Sequence, residues 1–272
     1  MARSRTALLI PYHEDHEALM RSLASVQDSE TCDVIVVDDG SLVRPVDLTA
    51  ARAAFRANGS VTVVRQSPNA GIDVALNTGL ERVLADGYEF VARLDCGDRH
   101  VGPRLSMQEA FLDANPQVLL VGGAVEFVDL EGRPQFILRM PTADLQIRRR
   151  MWANSAFMHP TVMFRSGVVV QVGMYPNDYP AAEDYAFFWS VMDVGEVANL
   201  PDVVLEYEVN PEGVSLSNRS RQLSSRLAVQ RAHDDGSMAA RLGRMRTRVI
   251  HAIPSRLLFR LKRVRHRGEW TA

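Results

Sequence analysis

Two cysteines in 272 residues, Cys32 and Cys96, are too few for a disulfide framework or a four-ligand zinc site. Long apolar runs are missing as well: the longest, "VLLVGGAVEFV" at 118–128, is too short to span a bilayer. The opening "MARSRTALLIPYHEDHE" holds too brief an apolar segment for a signal peptide. Neither internal repeats nor low-complexity tracts occur, which excludes solenoids and disordered architectures. His13 and His16 stand three apart, not at the HExxH spacing of zinc hydrolases. Together these absences point to a reduced, cytosolic setting.

What is present is ordinary globular composition, 46% hydrophobic and 24% charged, enough for one large domain with an appendage. The net charge of −2 conceals a division. From Arg241 onward ten Arg and Lys residues face one acid, Glu269, so that stretch carries +9 and the first 240 residues carry −11. Such a tail suits an anionic surface.

Along the chain, strand and helix patterns alternate at glycine-marked joints. "TALLIPY" (6–12), "DVIVVDDGS" (33–41), "SVTVVRQ" (60–66) and "YEFVARLD" (88–95) read as strands. Helical patterns fall between them at 16–27, 47–59 and 71–87. That alternation predicts βαβ units and a mostly parallel sheet, whose ligands bind at the carboxyl ends of the strands. Further on, helices are predicted over 102–116, 145–154 and 181–195, and strands over 118–129, 134–141, 159–165 and 203–209. From about 214 the chain reads as helical and polar, then basic.

Acids gather where a ligand would lie. Asp38-Asp39-Gly40-Ser41 closes the most hydrophobic strand, where a carboxylate can accept from a nucleobase N–H or a ribose hydroxyl. An ordinary strand-to-turn junction would use the same residue types. Asp95 and Asp98 enclose Cys96 and Gly97 after the fourth strand. Two carboxylates suit Mg²⁺ or Mn²⁺ bound together with substrate phosphate oxygens, and a solvated acidic turn is the plain alternative. Glu183-Asp184 opens a helix, where capping is the default use of an acid and a general base the functional one. His159, ahead of Pro160, fits a packed strand or a site equally. Cys96 has no companion that would make it a nucleophile.

The order strand–DDGS, strand–DxxD and a later ED at a helix start resembles the family 2 glycosyltransferases, inverting nucleotide-sugar enzymes with a GT-A fold. The resemblance covers roughly residues 6–230 and includes "SPNAGIDVALNTGLERV", "HPTVMFR", "AEDYAFFWSVM" and "YEVNPEGVSLSNRSRQ". It implies an α/β GT-A fold with a Rossmann-like sheet, a catalytic domain over 1–215 and a helical, basic extension over 216–272. The donor half would be about 1–100 and the acceptor half about 101–215. By resemblance, Asp39 binds the base, with Asp38, Pro11, Tyr12, Asn69, Gly71, Arg93 and Asp95 around the nucleotide sugar. Asp98, with Asp95 beside it, holds Mg²⁺ or Mn²⁺. Asp184 is the base, with Glu183 and His159 on the acceptor side.

Three departures stand out. Gly97 replaces an aspartate of the common Asp-x-Asp-Asp. Pro11-Tyr12-His13 is one residue short of Pro-x-Tyr-Asn, and Asn210 stands where a histidine is frequent. The implied function is transfer of a sugar from a nucleotide-diphosphate donor to a glycan or lipid-linked acceptor in cell-surface polysaccharide synthesis. A degenerate nucleotide- or partner-binding subunit is the alternative. A nucleotidyltransferase lacks its glycine- and lysine-rich loop here.

Leu242, Met245, Val249 and Ile253, then Leu257, Leu258, Leu261 and Val264, recur at helical spacing among arginines. That pattern fits an anionic membrane interface and peripheral attachment to the inner face of the cell membrane. With one aromatic, Phe259, among these charges and an acidic body, nucleic acid is not the expected partner.

Overall fold

β1 (Thr6–Tyr12) and β2 (Asp33–Asp39) have apolar centres, Ala7–Ile10 and Val34–Val37, that need cover on both faces, and both strands are buried along their whole length. A computed structural model of the chain describes residues 4–129, 131–208 and 219–252. Side chains alternate between two cores. Leu9, Ile35 and Val37 face α3 (Ile72–Asp86), while Leu8, Ile10, Val34 and Val36 face α1 (His16–Ala24) and α2 (Leu48–Ala54). α3 sits close to the sheet because residue 79 is glycine: a Cβ there would lie 2.2 Å from a Leu9 methyl.

β3 (Val61–Gln66), β2, β1 and β4 (Phe90–Arg93) lie in that order and run parallel, so their carboxyl ends share one edge. Beyond β4 the sheet becomes mixed. β5 (Arg99–His100), β6 (Val118–Val128), β7 (Pro134–Leu138), β8 (Met163–Arg165) and β9 (Glu196–Glu208) complete it. The β4–β8, β8–β6, β6–β7 and β5–β9 pairs are antiparallel and β6–β9 is parallel. The expected parallel sheet therefore describes the first half of the chain, with antiparallel pairing in the second.

α4 (Arg104–Ala114), α5 (Asp144–Met151), α6 (Gly167–Val172) and α7 (Glu183–Val194) pack around this sheet, and α8 (Arg219–Ala232) and α9 (Met238–Ala252) form a C-terminal pair. α7 carries seven buried residues, among them Phe187, Phe188 and Trp189, which pins its N-terminus. The Trp152 ring packs at a tilt against Trp189, with centroids 4.6 Å apart, and its carbonyl accepts from Gln230 of α8.

Three local expectations differ from the fold. Residues 159–161 form a 3-10 turn rather than the start of a strand, because Pro160 cannot donate to a ladder and opens a turn instead. β9 begins at Glu196, not 203, and Leu200–Asp202 bulge out opposite Gly123. α6 and β5 lack a sequence signal. Among the described residues, no helix is long and apolar enough to cross a membrane. Asn210 and the 256–267 part of the basic pattern lie outside the described residues.

Candidate functional site

The loops after β1, β2, β3 and β4 meet at the shared strand edge. Gly40 has φ +67°, and a Cβ there would lie 2.4 Å from the backbone nitrogen of Asn69, so glycine lets the post-β2 and post-β3 loops touch. Asp39 fastens that contact: the backbone N–H groups of Ala70 and Gly71 donate to its carboxylate at 2.8 and 2.9 Å. A carboxylate has about four acceptor positions, so two remain for another donor. Asp38 faces its own loop and accepts from the N–H groups of Ser41 and Val46 at 3.1 and 2.9 Å. Its role in this geometry is to shape the loop.

Tyr12 is buried beneath the same loop and donates its hydroxyl to the Arg44 carbonyl. Burial, followed by the charge of Asp38, pushes that phenol up to about 12. Pro11 is buried within β1. His13 Nδ1 lies 3.0 Å from the Asp39 carbonyl oxygen and 3.1 Å from Asn69 Nδ2, adding a link between the loops. Glu14, which no motif marks, accepts three backbone N–H bonds, from Leu42, Val43 and Arg44, at 2.6, 3.0 and 2.6 Å. Those bonds, Val43's first, hold its carboxyl below the ordinary range. Glu14 takes a left-handed φ of 58° to do this.

At the end of β4 the fully buried Arg93 gathers three partners. It donates to the Leu9 carbonyl, to His159 Nε2 at 3.3 Å and to Asp95 Oδ1 at 2.7 Å. Tyr175 Oη lies 3.0 Å from the same His159 nitrogen. Burial and then the Arg93 charge hold His159 well below the ordinary imidazole range, so it stays neutral. Asp98 follows a tight turn in which its N–H donates to the Asp95 carbonyl and Ser22 Oγ donates to its own. The residue is 5% exposed, and Oδ2 makes no hydrogen bond. Burial and the neighbouring Asp95 push the Asp98 carboxyl well above the usual carboxylate range. Gly97, at φ +105°, occupies a backbone conformation that an aspartate would strain to adopt. Cys96 donates weakly to the Asp15 carbonyl and its thiol is pushed up to about 12, chiefly by burial, which leaves it protonated.

Facing these loops is the start of α7. The N-cap is Ala182, whose side chain has no acceptor, and within the first turn Asp184 accepts a backbone N–H, that of Tyr185. Ala181 just before them has φ 62°, a strained position for an alanine. Burial, then the charge of Asp184, pushes Glu183 up to about 7. Burial also raises Asp184, opposed by the Tyr185 N–H, which donates to it at 2.6 Å, and by the Arg226 guanidinium. Asp95 lies within electrostatic reach of both acids, and Asp73 of α3 within reach of Glu183. The fold thus brings Asp95, Asp98, Glu183, Asp184 and His159 to one region, with Arg93 and Arg226 as counter-charges. Arg226 and Glu14 carry no motif, and Asp73 lies in the segment 67–83 without being marked there, so only three-dimensional proximity identifies the three.

The family described as Glycosyl transferase family 2 matches residues 7–173. The chain is similar to the amylovoran biosynthesis glycosyltransferase AmsE of Erwinia amylovora, 30% identical over 203 residues, 74% of this chain and 73% of that one. It is also similar to the UDP-Gal:alpha-D-GlcNAc-diphosphoundecaprenol beta-1,3-galactosyltransferase of Escherichia coli, 26% identical over 156 residues, 57% of this chain and 54% of that one. Among solved structures, the mannosyltransferase PcManGT from Pyrobaculum calidifontis, in complex with GDP-Man and Mn²⁺, superposes with a TM-score of 0.63 at 17% identity, covering 100% of this chain and 82% of that one.

Proposed function

The chain belongs to glycosyl transferase family 2, and from that premise we propose that it moves a sugar from a nucleotide-diphosphate donor to a hydroxyl of a glycan or lipid-linked acceptor, in cell-surface polysaccharide synthesis. The relatives support the class of substrate: one is named for amylovoran biosynthesis and another for an acceptor on diphosphoundecaprenol. The observation that carries the reading is the pair Glu183–Asp184 at the start of α7, raised in pKa and within electrostatic reach of the strand-end acid Asp95.

In this reading the domain over 1–215 is catalytic. The loops joined by Asp39, Gly40, Asn69 and Gly71 receive the nucleotide, and Asp95, held by Arg93, lies beside the donor's ribose and diphosphate. Asp184 takes the proton of the acceptor hydroxyl as its oxygen bonds to the anomeric carbon. The bond from that carbon to the diphosphate oxygen breaks, and its electron pair leaves with the diphosphate. Attack opposite the leaving group inverts the anomeric centre. A carboxyl that burial raises above the ordinary range is a stronger proton acceptor than a solvated aspartate. Glu183 and neutral His159 border the acceptor.

The donor set of Asp95 and Asp98 fits a small hard cation, Mg²⁺ or Mn²⁺: two oxygen ligands, one with an unpartnered buried oxygen, in mutual repulsion that a cation would relieve. Among the described residues no three acidic, His or Cys side chains gather as a complete metal site, so phosphate oxygens and water would supply the other ligands. A cation held there by Asp95 and Asp98 would supply positive charge to offset that of the departing diphosphate.

The test is a panel of nucleotide sugars incubated with acceptor glycans, with and without Mn²⁺, read by product mass and by the anomeric configuration of the new linkage. Transfer with inversion supports the reading. Nucleotide binding without transfer from any donor contradicts it and favours a binding subunit.

A further inference from the structure

Helix α9 is built inside out. Its body-facing side is made of Ala240, Gly243 and Thr247, all small and buried. Gly243 lies so close to the protein that a Cβ would sit 2.4 Å from the Trp152 carbonyl oxygen. The large apolar side chains point the other way. Met238, Leu242, Met245 and Val249 are 66, 53, 58 and 53% exposed. Their spacing of four, three and four residues puts them in one stripe along the outer face. Exposed Arg241 and Arg248 border the stripe on one side and exposed Arg246, which donates to the Ala153 carbonyl, borders it on the other. The fifteen residues of α9 contain four arginines and no acid.

We propose that this stripe is a docking surface for an anionic lipid bilayer, with α9 lying in the plane of the headgroups. Charge complementarity selects this occupant. Arginines flanking an apolar stripe match an interface where acyl chains lie below and anionic headgroups beside. At 1.5 Å per residue α9 extends about 22 Å, a length that lies along a surface and does not cross it. The chain beyond Ala252 adds Arg256, Arg260, Lys262, Arg263, Arg265 and Arg267 against Glu269 alone, so its like charge disfavours it as the cover for the stripe and adds to the attraction for an anionic surface. Nucleic acid would use the arginines and leave the apolar stripe without purpose.

The placement also bears on the acceptor. α8, the partner of α9, sends Ser225 Oγ to the Pro180 carbonyl at 2.9 Å, and Arg226 lies within electrostatic reach of Asp184. The hairpin that meets the lipid is thus fixed to the segment leading into Glu183–Asp184. That link to a lipid-borne acceptor rests on the function proposed above; the docking itself does not.

The experiment is flotation of the full-length protein, without donor or acceptor, with vesicles of phosphatidylcholine alone or with 30 mol% phosphatidylglycerol (on the order of a bacterial anionic fraction). The variants are Leu242→Ser/Met245→Ser/Val249→Ser, and Arg241→Gln/Arg248→Gln. All five positions are exposed, and circular dichroism and the thermal transition verify folding. The wild type is expected to bind the anionic vesicles at least about tenfold better than the neutral ones, and each variant to lose about tenfold or more. Equal binding of wild type and the serine variant overturns the proposal. So does a wild-type dimer in light scattering that the serine variant abolishes while neither binds vesicles, since the stripe is then a subunit interface. Because no transfer is measured, failure here is separable from failure of the enzymatic reading.

Discussion

Arg93, with no solvent exposure, donates to Asp95 at 2.7 Å while its other nitrogens reach the Leu9 carbonyl and His159. A buried cation is therefore aligned by the first parallel strand and spends one donor on the acidic turn. Arg93→Gln keeps an amide but cannot satisfy all three partners. It is expected to lower stability by about 2–3 kcal/mol in urea melts and to cut transfer more than nucleotide binding.

The touching loops around Gly40 give a matched pair of substitutions. Gly40→Ala meets both a positive φ and the backbone of Pro68 and Asn69, at 2.8 and 2.4 Å. Gly87 has a similar φ of +73° but nothing within 4 Å of the added carbon. Gly87→Ala should cost about 1 kcal/mol with nucleotide affinity unchanged. Gly40→Ala should cost about 1–3 kcal/mol and weaken nucleotide binding about tenfold or more, measured by calorimetry.

The acids of α7 predict a pH dependence of stability. Glu183 sits at about 7 in the fold against an ordinary 4.5, because it is half-buried and faces Asp184, Asp73 and Asp95. A raised carboxyl means the native state binds its proton more tightly than the unfolded chain. Its contribution to stability therefore falls as pH rises from about 4.5 through about 7 and is level above. Glu183→Gln should leave stability at pH 4.5 nearly unchanged and raise it at pH 8. Urea midpoints at the two pH values check this, and an equal shift at both would contradict it.

Much of this was legible in the sequence for a physical reason. Strands β1, β2 and β4 are buried on both faces, so their centres are written as apolar runs, and Asp38–Asp39 and Asp95 fall at or just past the ends of β2 and β4. α6 was not legible because "GVVVQV" is a β-branched run that has strand propensity; packing of Val168 and Val169 into the core overrides it. The start of β9 was hidden by Pro201 and Asp202, turn residues that a bulge accommodates. At the site, Asp39, Asp95, Asp98 and Asp184 were marked by position at element ends. The left-handed φ of Glu14 and Ala181 was not, since neither residue type signals it. Arg226 and Asp73 act from within helices, where nothing in the local pattern separates them from solvated charges.

The most direct test of the central claim is the kinetics of Asp184→Asn. The substitution keeps the size and the acceptor oxygen for the Tyr185 N–H but removes the proton acceptor. The account predicts that kcat falls by about 10²–10⁴-fold while the dissociation constant for the donor nucleotide stays within about threefold of wild type. Transfer at a wild-type rate with the variant would contradict it.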